Sequence, residues 1–510
     1  MVDEGIKKEK KLDADIVIIG SGGAGLAAAV AAAERGASVI VLEKRSGLGG
    51  NSARAFGIFA AESPVQKRAH IDCSRDRCFK IAMDWAHWKI NAAIIRAFID
   101  KSGDTIRWLE EKGLEFACNF HNPDQEPVFH LIKGRGAALI KVLTQKCRDM
   151  GVQLLTRSPA KKILTGSEGD IIGVLAESDG GEFTIASRSV IISSGGYGGN
   201  KVLLRKYCPD YRDDMERIGF PHTGDGLTMA IQAGAATEGL GILLLGMPSA
   251  LHPPDLKVKP GTKPGISQIG LISIAADPRT LWVNKTGQRF VDENLNNIHF
   301  LNSNAIIRQP DNLCYTLWDS KITQTIAKKG PSQSMGLPKE EEGDMLPGLE
   351  KDLRTQADKK DFVKIFNSRD EISAWMGADP KVLKASIDKY NAACDQGYDP
   401  IFSKDREYLM PLRTPPYYGI RWHASFINTI GGININEHTE VLDKNGDPIP
   451  GLYAAGVDTG GWESATYCMR LPGHAFGFSV YSGRIAGENA SVFIKGLPGN
   501  GLKSGNKRKN

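Results

Sequence analysis

Two short, unbroken apolar runs near the start of the chain, Asp15-Ile-Val-Ile-Ile-Gly20 and Ala37-Ser-Val-Ile-Val-Leu-Glu43, are rich in β-branched residues and predict buried strands. Between them Gly20-Ser-Gly-Gly-Ala-Gly25 runs into Leu-Ala-Ala-Ala-Val-Ala-Ala-Ala-Glu, which predicts a helix entered through a tight glycine turn. Much later, Val382 to Asn391 has helical periodicity. Pro248 to Ser267, rich in proline, glycine and lysine, predicts a domain-crossing loop, and Lys339-Glu-Glu-Glu-Gly-Asp344 a solvated one. The end, Leu497 to Asn510, has only Leu497 and Leu502 as large apolar residues and predicts a disordered basic tail.

The first of these units carries chemistry. Glycines at 20, 22 and 25 let the backbone meet a pyrophosphate at the helix N-terminus, where free N–H groups and the helix dipole favour anions. Glu43, at the end of the second strand, stands where a ribose hydroxyl needs a carboxylate acceptor. The complete strand, turn, helix, strand and glutamate predict dinucleotide binding. Directly afterwards comes Lys44-Arg-Ser-Gly-Leu-Gly49-Gly50-Asn51-Ser52, a glycine-rich loop with polar donors that a simple NAD domain does not need.

Composition narrows the class. A chain of 510 residues exceeds what one core usually serves, so at least two domains are expected, and 57 glycines imply many turns or close approaches. The net charge of +5 lies partly in Lys503, Lys507, Arg508 and Lys509, and no nucleic-acid groove is read from it. No stretch is apolar for long enough to span a membrane, and no apolar leader precedes the first strand, so a cytoplasmic protein is expected. The eight cysteines include no C-x-x-C pair, so neither a metal site nor a disulfide framework nor a C-x-x-C-H haem site is expected. Cys73 and Cys78 read most simply as two thiols.

From Gly49-Gly50-Asn51-Ser52 onward the chain resembles the flavoproteins of the fumarate reductase and succinate dehydrogenase family, to which the 3-ketosteroid dehydrogenases are related. The resemblance recurs, in family order, at Ile191-Ile-Ser-Ser194-Gly195-Gly196, at Thr223-Gly-Asp225-Gly226, at Ile449 to Gly456 and at Gly483 to Gly487. It implies an α/β fold: a doubly wound, Rossmann-like FAD-binding domain of glutathione-reductase type, interrupted by an α+β capping domain. The FAD-binding parts would be 1–246 and 429–496, the cap 247–428 and the tail 497–510. The cofactor groups it implies are Gly20, Ser21, Gly22, Gly23, Ala24, Gly25, Glu43, Lys44, Gly49, Gly50, Asn51, Ser52, Ala160, Ser194, Gly195, Asp225, Gly456, Ala475 and Phe476. His222 is expected to be a flavin-loop residue. FAD is expected without a covalent bond, because the 44–52 loop holds no histidine.

The resemblance also implies a reaction, hydride transfer from flavin N5 to an activated C=C bond, and most of the fumarate-binding groups fail to match. The family's substrate arginine corresponds to Arg470, but its histidines fall on Asn428 and Met247, with His252 close to the latter, and its acid arginine falls on Asn297. The tyrosine of the related 3-ketosteroid dehydrogenases falls on Leu471. Fumarate and steroids are therefore not expected as substrates, because a dicarboxylate needs two donor clusters to offset its desolvation. A longer link, Trp462 to Met469, places Trp462 and Tyr467 over the expected pocket and suits an aromatic or carbonyl-bearing enone or enoate. The expected catalytic residues are Arg470, Tyr467 and His299, with Glu293 behind them. Alternatively, Arg470 pairs with a carboxylate such as Glu463. Electrons would come from outside the chain, from a separate redox protein, free flavin or NAD(P)H. The competing readings are a non-redox flavin-dependent isomerase or hydratase, and an electron-transfer subunit.

Overall fold

The computed structural model describes residues 11–120, 125–220, 222–246, 271, 274–297, 301–332, 346 and 348–497. Met247, His252, His299, the loop 248–267, the charge run 339–344 and nearly all of the basic tail lie outside the described residues.

The fold is α/β. Its central six-stranded sheet runs, edge to edge, Glu440–Leu442, Pro448–Ala454, Ser189–Ile192, Ile16–Ile19, Val39–Leu42 and Gln153–Leu155. All neighbours are parallel except the first pair. Every residue of Ile16–Ile19, Val39–Leu42 and Ser189–Ile192 is buried, as strands covered on both faces require, which is why these runs show no alternation. The helix Gly23–Glu34 follows the first strand and packs against the long last helix, His474–Gly496. The two helices approach closely: a Cβ at Gly483 would lie 2.1 Å from the Ala24 carbonyl oxygen, and one at Gly487 2.3 Å from that of Ala28.

A separate four-stranded sheet, ordered Leu281–Asn284, Leu313–Asp319, Tyr417–His423, Val363–Phe366, is antiparallel throughout. Its side chains alternate between two cores. Trp282, Cys314, Trp318, Ile420 and Trp422 face the main core, while Leu281, Val283, Tyr315, Leu317 and Tyr417 join Leu383, Ile387 and Tyr390 of the helix Pro380–Gln396 in a second cluster. In a further sheet, Thr237–Leu245 and Ser425–Ile433 pair antiparallel, so the second of these strands runs through the boundary expected at residue 428.

Beside the second core lies a buried charge network. Glu293 receives Arg289 at 2.8 Å and Lys404 at 3.1 Å, and Arg289 also meets Asp399 at 2.7 Å. Lys404 donates further to the Thr280 carbonyl and the Tyr390 hydroxyl, each at 3.0 Å. Burial raises the Glu293 carboxyl, but attraction to Lys404 and Arg289 outweighs this and holds it below its ordinary value. Two cations therefore balance two anions. Glu293→Gln leaves the cations in excess and is expected to destabilise the protein by about 3–5 kcal/mol. Urea unfolding at neutral pH measures this; an unchanged midpoint would show that the network is solvated.

Candidate active site

The first turn of the helix Gly23–Glu34 lies at the centre of the site. Its N-cap, Gly22, provides no side-chain cap, and a Cβ built there meets nothing closer than 3.9 Å. Open space before the positive end of a helix fits a pyrophosphate. The turn itself depends on Gly25, where a Cβ would lie 2.0 Å from the Gly20 carbonyl oxygen and 2.7 Å from Ser193 Oγ. Ser52, from the short 3-10 helix Gly50–Arg54, reaches the same turn and accepts the Gly23 N–H at 3.0 Å. Gly49 N–H donates to the Ser21 carbonyl at 3.0 Å, which fixes the second glycine loop beside the first.

Glu43 is buried at the end of Val39–Leu42. Its Oε2 accepts the Ser21 hydroxyl at 2.6 Å and the Ser21 N–H at 3.2 Å, and Oε1 accepts the Arg45 N–H at 2.9 Å. The Ser21 hydroxyl is thus committed to orienting Glu43. Ser158 N–H donates to the Glu43 carbonyl at 2.8 Å, so the strand Ala160–Thr165 starts beside it. Lys44 Nζ donates to Thr223 Oγ1 at 2.6 Å and Asp225 Oδ2 at 2.8 Å, fastening the start of the helix Asp225–Gln232 to this loop. Burial pushes the Asp225 carboxyl up, and its bonds from Lys44 and Thr223 more than offset this, so it stays ionised.

Asn51 accepts the Phe220 N–H at 2.6 Å on Oδ1, while its Nδ2 is buried without a partner among the described residues. His222 packs against the glycine loops: a Cβ at Gly195 would lie 3.1 Å from its ring, and one at Gly50 3.6 Å from Nε2. Burial, reinforced by the Lys44 cation, holds His222 down to about 4, so the ring is neutral at neutral pH. Both side chains fit a bound ring system that needs polar partners without charge. On the far side, Asp458 accepts the Gly195 N–H at 2.7 Å and the Ser194 hydroxyl at 3.3 Å, and Ser194 Oγ accepts the Gly226 N–H at 3.1 Å. Burial pushes the Asp458 carboxyl up to about 6. Gly456 N–H donates to Ser482 Oγ at 2.9 Å, and the Phe476 ring lies 3.3 Å from where a Gly23 Cβ would be. Segments 20–25, 43–52, 194–195, 222–226, 456–458 and 475–476 therefore enclose one cradle.

The candidate catalytic residues divide. Tyr467 is buried, and its hydroxyl accepts the Ala475 N–H at 3.2 Å, next to Phe476 at the start of the last helix. Burial pushes its phenol up. Trp462 does not overlie the cradle. It is fully buried and stacked on Phe478 at 4.4 Å, with Nε1 donating to the Thr459 carbonyl at 2.9 Å, because an indole among Phe478 and His474 is better placed in the core than in solvent. Arg470 is half exposed, and its carboxylate partner is Glu126 at 3.4 Å, not Glu463. Glu126 is held more closely by Arg77 Nε, at 2.8 Å. Glu463 is unsuited to a guanidinium: burial pushes its carboxyl up to about 8, leaving it uncharged at neutral pH, and it accepts the Cys468 N–H at 3.0 Å.

Asp458, Ser482, Arg77 and Glu126 were not identifiable from sequence. Asp458 follows the Gly456 segment but forms no pattern of its own. Glu126 meets Arg470 across 344 positions, a separation that carries no local signal.

The chain matches the FAD binding domain family over residues 15–467. It is 33% identical over 484 residues to the vinyl phenol reductase of Lactiplantibacillus plantarum, spanning 94% of this chain and 96% of that protein. It is 27% identical over 498 residues to the urocanate reductase of Eggerthella lenta, spanning 94% of this chain and 75% of that protein. Among solved structures, the open conformation of a flavocytochrome c3 fumarate reductase superposes with a TM-score of 0.70 at 24% identity, covering 95% of this chain and 79% of that one. No helix among the described residues is long and apolar enough to cross a membrane. With a cradle shaped for a dinucleotide and a family match over most of its length, the chain belongs to the fumarate reductase and succinate dehydrogenase family of FAD-binding flavoproteins and is an FAD-dependent oxidoreductase.

Proposed function

We propose that the enzyme reduces the C=C bond of an uncharged, aryl-conjugated alkene of the 4-hydroxystyrene type and not that of a dicarboxylate. The observation that carries this reading is the charge around the cradle. Asn428 stands where the fumarate reductase pattern has a histidine, His222 is neutral, and Arg470 already faces Glu126. Of the positions that match the family's substrate-binding groups, only Arg470 is a cation, and a buried carboxylate without a partner is costly. The full-length likeness to a vinyl phenol reductase supports the same substrate class.

FAD would be held, without a covalent bond, by the turn 20–25, Glu43, the loop 44–52, Ser194, Gly195, Gly456, Ala475 and Phe476, with Ala160 and Asp225 at its border. Bound there, it supplies the hydride chemistry. The protein supplies the proton: Tyr467 Oη gives it to the terminal alkene carbon, and the Ala475 N–H at the helix N-terminus favours the negative charge left on that oxygen. Loss of the phenolic proton to solvent and protonation of the terminal carbon together turn a 4-hydroxystyrene into a quinone methide, whose benzylic carbon is electrophilic and accepts the hydride to leave a 4-ethylphenolate. Arg470, at the rim beside Glu126, would steady the negative charge on the phenolic oxygen. The cap, 247–428, would close over the FAD-binding parts, 1–246 and 429–496. Electrons would enter from a separate redox protein, free flavin or NAD(P)H.

The test is anaerobic. Enzyme reduced with dithionite is mixed with 4-vinylphenol or fumarate and flavin absorbance is followed. Reoxidation by 4-vinylphenol is expected to be at least ~100-fold faster, the loss typical of one missing transition-state donor. Comparable rates would overturn the charge argument.

A further inference from the structure

We propose that Cys73 and Cys78 form a peroxide-oxidisable dithiol, a redox site outside the flavin cradle. Cys73 directly precedes Ser74, the N-cap of the helix Arg75–Trp85, and Cys78 lies one turn into that helix. Side chains at these two positions meet across a helix start, where apolar residues commonly pack as a staple. Here the meeting atoms are sulfurs. They lie 3.5 Å apart, with Cys73 3% exposed and Cys78 fully buried, so a bond of about 2.05 Å requires only a short closing movement.

The surroundings give the two sulfurs different roles. The hydrogen bond from Cys78 lowers the Cys73 thiol below its ordinary value, and the Arg77 guanidinium adds to this, against burial and the Glu126 charge. Contact with Cys73 and burial push Cys78 the other way. By contrast, burial raises Cys147, Cys208, Cys314, Cys394 and Cys468 above the ordinary thiol value. Cys73, which keeps a trace of exposure while Cys78 has none and which has the Arg77 guanidinium nearby, is the sulfur that a peroxide would meet first.

The chemistry balances. Cys73 sulfur attacks one oxygen of hydrogen peroxide; the O–O bond breaks, one water leaves, and Cys73 becomes a sulfenic acid. Cys78 sulfur then displaces the sulfenic oxygen, which leaves as a second water with the Cys78 proton. Two thiols and one hydrogen peroxide give one disulfide and two waters, with two electrons passing from sulfur to oxygen. The site also borders the catalytic rim, because Arg77 in the same helical turn holds Glu126, whose N–H donates to the Arg470 carbonyl at 3.0 Å.

In the test, FAD-loaded protein, reduced and freed of reductant under nitrogen, receives one equivalent of hydrogen peroxide, is alkylated, and is digested with trypsin without reduction. The fragments Ala69 to Arg75 and Cys78 to Lys80 are expected as one disulfide-linked species, with two of the eight thiols lost and both restored by dithiothreitol. In Cys78→Ser, dimedone should trap Cys73 as a sulfenic acid and no linked species should form. If both cysteines of the folded, yellow wild-type protein still alkylate after peroxide, or if Cys73 goes on to a sulfinic acid with no linked species, the pair is a packing staple and the proposal is wrong.

Discussion

Gly25→Val is expected to purify colourless. A Cβ at position 25 would sit 2.0 Å from the Gly20 carbonyl oxygen, and that oxygen belongs to rigid backbone at the end of a fully buried strand. The turn must therefore open, which moves the first helical N–H groups away from the pyrophosphate position and removes the geometry on which anion binding at a helix start depends. FAD affinity should fall at least ~100-fold, about 2.7 kcal/mol. The measurement is the flavin-to-protein ratio after gel filtration, with far-ultraviolet circular dichroism on the same sample to establish that the sheet has formed. A folded variant with a full complement of flavin would show that the pyrophosphate does not rest on this turn.

Tyr467→Phe tests the proton. The substitution keeps the ring and its packing and removes the oxygen that receives the Ala475 N–H. Turnover of 4-vinylphenol is expected to drop by ~10²- to 10⁴-fold, the usual contribution of a positioned general acid, while FAD stays bound. Single-turnover reoxidation of the reduced enzyme isolates the chemical step, and a solvent deuterium effect separates proton donation from substrate placement. Near-normal reoxidation would assign the proton to another group and reduce Tyr467 to a wall of the pocket.

Sequence made the nucleotide half of the molecule readable because its chemistry is local. Asp15 to Glu43 holds strand, turn, helix and acidic residue within one short stretch, and the structure places Ile16–Ile19, Gly23–Glu34 and Val39–Leu42 accordingly. Trp462 was misplaced for the opposite reason. An aromatic residue near a pocket motif reads the same whether it covers a ligand or fills a core, and only the stacking on Phe478 decides. The partner of Arg470 was equally hidden. Whether a buried carboxylate can pair depends on its neighbours: Glu463, seven residues away, lies against the Cys468 N–H and His474 and is uncharged at neutral pH, whereas remote Glu126, just as buried, meets the Arg77 guanidinium. The alternating faces of the four-stranded sheet were likewise invisible, because both faces are apolar and periodicity marks only the boundary between oil and water.

The order of strands in the central sheet has a consequence for how the protein is made. Ser189–Ile192 is flanked on one side by Ile16–Ile19, already synthesised, and on the other by Pro448–Ala454, which leaves the ribosome only after the whole intervening chain. Until then an apolar strand edge stands open, and the glycine face of the last helix, which must close on Ala24 and Ala28, does not yet exist. Such late, long-range pairing is slow, and an open edge invites pairing with other chains. Full burial of the first helix thus waits on the C-terminal segments, so a chain broken off early would hold the phosphate-binding sequence without the completed fold that supports it.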